Sequence, residues 1–153
     1  RCCYGGLKED RTKGVAWLSS TQHAMDWTAV SGVLGAVGVA MGAFGAHGLK
    51  KHVSDPELLE SWKTGAWYQL LHAVMIGVAA SLRKGSRAPK LFALGCLCFS
   101  GSIYGLVLLP KGHALRKVLG PITPIGGLLF IAGWLSMVFA SPKHPDLPSS
   151  RRE

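Results

Sequence analysis

Eight polar side chains stand inside or at the edges of long apolar runs: His47, Tyr68, Gln69, His72, Ser100, Ser102, Tyr104 and Thr123. Polar groups in apolar segments need partners, because lipid offers none. Three kinds of chemistry fit them. They can hydrogen-bond across helices and fix the packing, each bond contributing about 0.6 to 2 kcal/mol. They can line a site for a ligand, an ion or a lipid headgroup. His47 and His72 can also be read as haem or metal ligands, although two histidines with no Asp, Glu or Cys at their level fall short of a zinc set. Tyr68 and His72 share a helix face at i,i+4, with Gln69 beside them.

Catalysis finds less support. No Asp or Glu stands inside the charge-free runs to relay protons, no serine sits in a nucleophile motif, and no glycine-rich phosphate loop follows a strand. The reading of the residues is therefore a protein that is not an enzyme, with no cofactor and no metal. The four cysteines do not change it: Cys2 and Cys3 are adjacent, and Cys96 and Cys98 sit two apart in an apolar run. Neither spacing is a zinc or redox motif, and Cys96 and Cys98 read as small apolar helix residues.

The elements that position these groups follow from the charge pattern. Charged residues make up 16% of 153 residues, below the roughly 25% of soluble domains, and they cluster in short blocks. The apolar stretches between the blocks are long enough to cross a bilayer at about 1.5 Å per residue. They run over 30–49, 65–82, 91–109 and 118–140. The predicted fold is an all-α integral membrane protein, a four-helix antiparallel bundle over 27–140 with both termini on one side. Residues 1–26 form a polar N-terminal extension containing a small apolar patch, and 141–153 form a Pro/Ser-rich tail predicted to be disordered. A start at Arg1 rather than methionine is what a processed or truncated chain would show.

Local signals mark the helix ends. Asp26 reads as a cap before an interfacial Trp27. Ser54, Pro56 and Glu57 read as a capping box that opens the second helix. Trp62, Trp67 and Tyr68 read as an aromatic belt, and Pro121 and Pro124 fall in the first turns of the fourth helix, where proline is tolerated. The net charge is +9, but no basic stripe with interleaved aromatics argues for nucleic acid. The basic blocks suit anionic headgroups and helix orientation instead. Eleven of the 17 Lys and Arg fall on the terminal side, which directs that side to the cytoplasm or a mitochondrial matrix.

Glycine spacing suggests how the helices meet. Gly35, Gly38, Gly42 and Gly45 lie near one face of the first helix, and Gly38 with Gly42 form a GxxxG. In GPITPIGG, Gly126 and Gly127 read as tight packing beyond a proline-shaped helix start, with an anion-binding helix opening as the other reading. By depth, His47, His72, Tyr104 and Thr123 fall in one layer at the far end of the bundle.

Five stretches occur here in a familiar order: GAFGAHGL at 42–49, YQLLHA at 68–73, FSGSIY at 99–104, GPITPIGG at 120–127 and FIAGW at 130–134. In these the chain resembles the transmembrane protein 256 family, also described as domain of unknown function 423, over about 27–140. The resemblance implies a compact four-helix membrane protein and a mitochondrial setting for eukaryotic members. It implies no catalytic residue and no established activity. The resulting expectation is a structural or accessory subunit of a larger membrane complex, in contact with lipids and other membrane-protein subunits, in the mitochondrial inner membrane. A small transporter or a lipid- or quinone-binding protein built on His47, His72 and Tyr104 is the alternative.

Overall fold

The computed structural model describes the backbone of residues 9–82 and 86–139, with side chains from Trp27 onward within those ranges. Among these, four helical segments are long and apolar enough to cross a membrane: Trp27–Lys51, Pro56–Leu82, Ala88–Leu108 and Arg116–Phe139. Helix α1 runs over Glu9–His47 and is followed by a 3-10 turn at Leu49–Lys51. Helix α2 is Pro56–Leu82. The third span is α3, Ala88–Gly95, then a π-helical turn, Cys96–Ser100, then α4, Gly101–Leu108. Helix α5 is Arg116–Phe139. The expected tail 141–153 and part of the basic loop, Arg83 and Lys84, lie outside the described residues.

Three end signals differ from expectation. Helix α5 already begins at Arg116, so Pro121 and Pro124 lie inside it rather than in its first turn. The backbone is already helical from Glu9, so Asp26 lies within a helix and is not its cap. Asp55, not Ser54, caps α2: its carboxylate accepts from the Glu57 N–H at 3.1 Å, and its carbonyl accepts the first helical bond from Leu59 at 3.2 Å. Pro56 then occupies the first helical position, where its missing N–H costs nothing.

The helices pack chiefly in chain order, α1 on α2, α2 on the third span, and the third span on α5. Consecutive spans run antiparallel. Along α1 the successive partners on α2 are Ala73, Gln69 and Trp62, in reverse order. Two apolar clusters fill the middle. One gathers Ile76, Ala79, Ala88, Phe92, Cys96 and Phe130, with Trp27 and Met137 against it. The other gathers Leu49, Trp62, Ile103 and Val107. Trp27 and Met137 share the first cluster, so the outer ends of the first and fourth spans lie at one end of the molecule.

Glycine sets how closely the spans approach. A Cβ added at Gly126 would collide with the backbone N and Cα of Phe99, which sits in the π-helical turn. Atoms there cannot swing aside as a side chain would. Gly133 and Gly95 make room for the rings of Phe92 and Phe130. On α1, a Cβ added at Gly38 would lie 3.0 Å from Leu70 and one at Gly45 would collide with the Trp62 indole, but one at Gly42 would meet open space and one at Gly35 only an ordinary 3.9 Å contact with Ala73. The contact face is thus Gly38 with Gly45, not the expected GxxxG. Seven residues return to within about 20° of the same face, whereas four overshoot it by about 40°. A Cβ added at Gly127 would likewise come no nearer Phe99 than 4.0 Å, so the tight packing expected of the pair belongs to Gly126 alone.

Gly126→Ala forces a backbone shift between α5 and the third span and is expected to cost about 1–3 kcal/mol. Gly42→Ala, with nothing to meet, is expected to stay within about 0.5 kcal/mol of wild type. Thermal unfolding of the two variants in detergent measures the contrast, and equal effects would contradict the packing described.

Candidate functional site

Gln69 is the midpoint of α2 and is buried to 4% exposure. A buried primary amide needs both an acceptor and a donor. Its Nε2 donates to the Leu34 carbonyl of α1 at 2.9 Å, and its Oε1 accepts from the Tyr104 hydroxyl of α4 at 3.0 Å. One side chain thereby ties three spans. Tyr104 in turn stacks obliquely on Trp62, with centroids 4.5 Å apart, and the Trp62 indole N–H donates to the Met41 carbonyl at 2.7 Å. Ser31 of α1 donates to the Ala73 carbonyl at 2.7 Å. Helices α1 and α2 are therefore held at three levels by side chains bonded to the neighbouring backbone.

The third span is fixed on both sides. Ser100, fully buried, donates to the Gly65 carbonyl of α2 at 2.8 Å. Gly65 permits this approach: a Cβ there would press on Tyr104 at 3.2 Å and Ile103 at 3.3 Å. On the opposite side, the Ser102 and Thr123 hydroxyls lie 2.7 Å apart, joining α4 to α5. The π-helical turn closes with a bond from the Gly101 N–H to the Cys96 carbonyl. Such turns often occur at functional positions; here one begins the stretch that carries Ser100, Ser102 and Tyr104.

His72 belongs to a separate, aromatic network. Its ring is 2% exposed and lies flat on Phe130, with centroids 3.6 Å apart and planes 10° from parallel. Nδ1 is 2.8 Å from the Tyr68 carbonyl, and Nε2 is 3.3 Å from the Trp134 indole N–H. A carbonyl can only accept and an indole N–H can only donate. The two contacts together require the neutral imidazole with its proton on Nδ1. A second proton on Nε2 would face the Trp134 N–H with no acceptor between them.

The layer expected from depth is therefore divided. Tyr104, Gln69 and Ser100 meet at α2. Ser102 and Thr123 meet at α5. His72 points into the aromatic group formed with Phe130, Trp134 and Phe92. His47 joins none of these: it is exposed near the end of α1, because that turn directs Gly45 and Leu49 inward instead. Its placement beside His72 and Tyr104 is corrected accordingly. Tyr68 is 42% exposed and contributes its ring to His72, Phe99 and Phe130. Among the described residues, no three His, Cys, Asp or Glu side chains come together in a way that could hold a metal ion.

Four contributors escaped the sequence reading. Trp62 was expected in an aromatic belt but is 1% exposed, while Trp67 is 72% exposed. The signal was its spacing with Ala66, Gln69, Ala73 and Ile76, one helical face that is buried throughout. Ser31, Trp134 and Arg116 carried no such signal, because their partners are a distant carbonyl, a distant imidazole and the carbonyls of Leu106 and Leu109.

The comparisons agree with the membrane character of the chain. The family described as "Protein of unknown function (DUF423)" matches residues 41–127. A UPF0382 membrane protein of Schizosaccharomyces pombe is 47% identical over 113 residues, which cover 71% of this chain and 95% of the relative. A UPF0382 membrane protein of Staphylococcus aureus is 42% identical, covering 72% and 93%. One of Bacillus subtilis is 38% identical, covering 73% and 95%. No solved structure matches the chain.

The His72 arrangement is directly observable. Nitrogen-15 NMR of labelled protein in micelles is expected to show a protonated Nδ1 and a bare Nε2; the opposite tautomer would break the assigned pair. A His72→Phe and Trp134→Phe double-mutant cycle is expected to give a coupling of about 0.6 kcal/mol, and no more than about 2.

Proposed function

The chain belongs to the DUF423 family of membrane proteins, and we propose that it is a non-enzymatic integral membrane protein serving as an accessory subunit of a larger membrane complex. The observation that carries the reading is the outer side of α1. That helix packs mainly on α2, and its other side presents Gly32, Ala36, Ala40 and Ala43 around Val39, all exposed, with nothing within 4 Å of a Cβ placed at Gly32. Small residues let helices approach closely, and in lipid such approach is a main source of helix association. A second, independent membrane helix fits that face.

The polar interior supports the same reading. Gln69, His72, Ser100, Ser102, Tyr104 and Thr123 bond to one another, to Trp134 or to neighbouring backbone. Each of these contacts is better explained as interhelical glue than as a substrate path. We place the protein in a respiratory membrane, the mitochondrial inner membrane, with its termini toward the matrix. The excess of Lys and Arg on the terminal side supports that orientation, and the relatives named as membrane proteins support a membrane setting.

Gentle detergent extraction followed by blue-native electrophoresis is expected to show the protein in a band well above its 16.3 kDa mass. Ala36→Leu on the outer face of α1 is expected to release it while leaving its own unfolding temperature unchanged. Migration of the wild type solely as a free monomer would defeat the proposal.

A further inference from the structure

A groove of about 590 Å³ opens between the first turns of α2, the end of α4 and the first turns of α5. It lies at the loop end of the bundle, away from the Gln69 and His72 networks and away from the outer face of α1. Its wall is formed by Leu58, Ile103, Leu106 and Val107. Its polar lining is Glu57, Glu60, Ser61, Thr64, Arg116 and Thr123.

Arg116 is fixed in advance. One guanidinium nitrogen donates to the Leu106 carbonyl and, at 2.9 Å, to the Leu109 carbonyl, where α4 ends. Those contacts use Nη1 alone, and the remaining N–H groups of the fork have no other protein partner among the described residues. A guanidinium held this way suits a phosphate, which accepts from such a fork with little loss of side-chain freedom.

The other side of the groove is acceptor-rich. The Ser61 hydroxyl donates to the Glu57 carbonyl at 2.8 Å, and the Thr64 hydroxyl donates to the Glu60 carbonyl at 3.0 Å. Their protons are thus committed to their own helix, and their oxygens are left to accept. The Glu57 and Glu60 carboxylates add two anions; Glu60 is shared with Lys63 at 2.8 Å on the surface. The groove therefore offers the Arg116 guanidinium, the Glu57 carboxylate, the Glu60 carboxylate that Lys63 shares, and several neutral acceptors, above an aliphatic wall.

We infer that this groove holds a membrane phospholipid with a phosphoethanolamine headgroup, its phosphate on Arg116, its ammonium toward Glu57 and Glu60, and an acyl chain against Leu58, Ile103, Leu106 and Val107. Two observations select that headgroup. A purely anionic lipid would meet the Glu57 carboxylate, which has no cation paired with it among the described residues, beside a Glu60 whose charge Lys63 shares. A choline headgroup has no N–H to donate and is recognised by aromatic faces, and none of the residues lining the groove is aromatic. The site is separate from the subunit contact proposed above, and either can stand without the other.

Native mass spectrometry of the full chain in mild detergent tests it, with equal amounts of dioleoyl phosphatidylethanolamine, phosphatidylcholine and phosphatidylglycerol as probes. The wild type is expected to retain the ethanolamine lipid about threefold over each of the others, the scale of one partly exposed ion pair. Glu57→Gln with Glu60→Gln is expected to abolish the preference while helix content by circular dichroism stays unchanged. Arg116→Gln is expected to lower retention of all three lipids. Equal retention of ethanolamine and choline lipids by the wild type overturns the inference, and so does a preference for the glycerol lipid. An ethanolamine preference that survives in the double glutamine variant overturns it as well. The wild-type comparison decides the matter even where a variant fails to fold.

Discussion

Helices in lipid gain nothing by hiding apolar surface from one another, since the acyl chains are as apolar as leucine. What remains to hold them is close contact and the requirement that every buried polar group be satisfied internally. In this molecule that requirement converges on Gln69. Its amide has a donor end and an acceptor end, and the two ends reach different helices. Trp62 and Ser31 extend the attachment of α1 above and below it, and Ser100 secures the third span one turn away. The neighbouring carbonyls already accept a helical bond, and a second lone pair makes the additional bond possible.

Close contact is arranged around these bonds. Where Gln69, Ser100 and Tyr104 meet, Gly65 lets the third span come near. Where Ser102 and Thr123 meet, Gly126 lets α5 rest on the backbone of Phe99. Short hydroxyl side chains reach across only when the backbones are near, so the glycines and the serines depend on one another. The aromatic group around His72 is the other means of attachment, filling the space between α2 and α5 with rings and fixing one imidazole tautomer between the Tyr68 carbonyl and the Trp134 indole.

The membrane character of the chain, the number of spans and the antiparallel order were legible in the sequence, because they depend only on run length and on where charge interrupts it. The polar residues that matter were legible as types. Gln69, His72, Ser100, Ser102, Tyr104 and Thr123 all stand in apolar runs, and all are bonded. Their grouping was not legible. Depth counted along each helix put His47 with His72, but a helix turns by about 100° per residue, and His47 turns outward while Gly45 turns inward. The same rotation separated Gly42 from Gly38. Trp62, Trp67 and Tyr68 read alike as belt aromatics, yet only Trp67 and Tyr68 are exposed; residue type alone does not distinguish a belt from a core.

By itself, then, the sequence determined that the protein is a four-span membrane protein with glycine-rich contacts and a polar interior, since composition and spacing act locally along the chain. Only the tertiary structure decided which carbonyl each donor reaches, which glycine is pressed and which is free, and that His72 must carry its proton on Nδ1. Those outcomes depend on the rotation and approach of separate helices. Relations between residues as far apart as His72 and Trp134 exist only once the helices are packed.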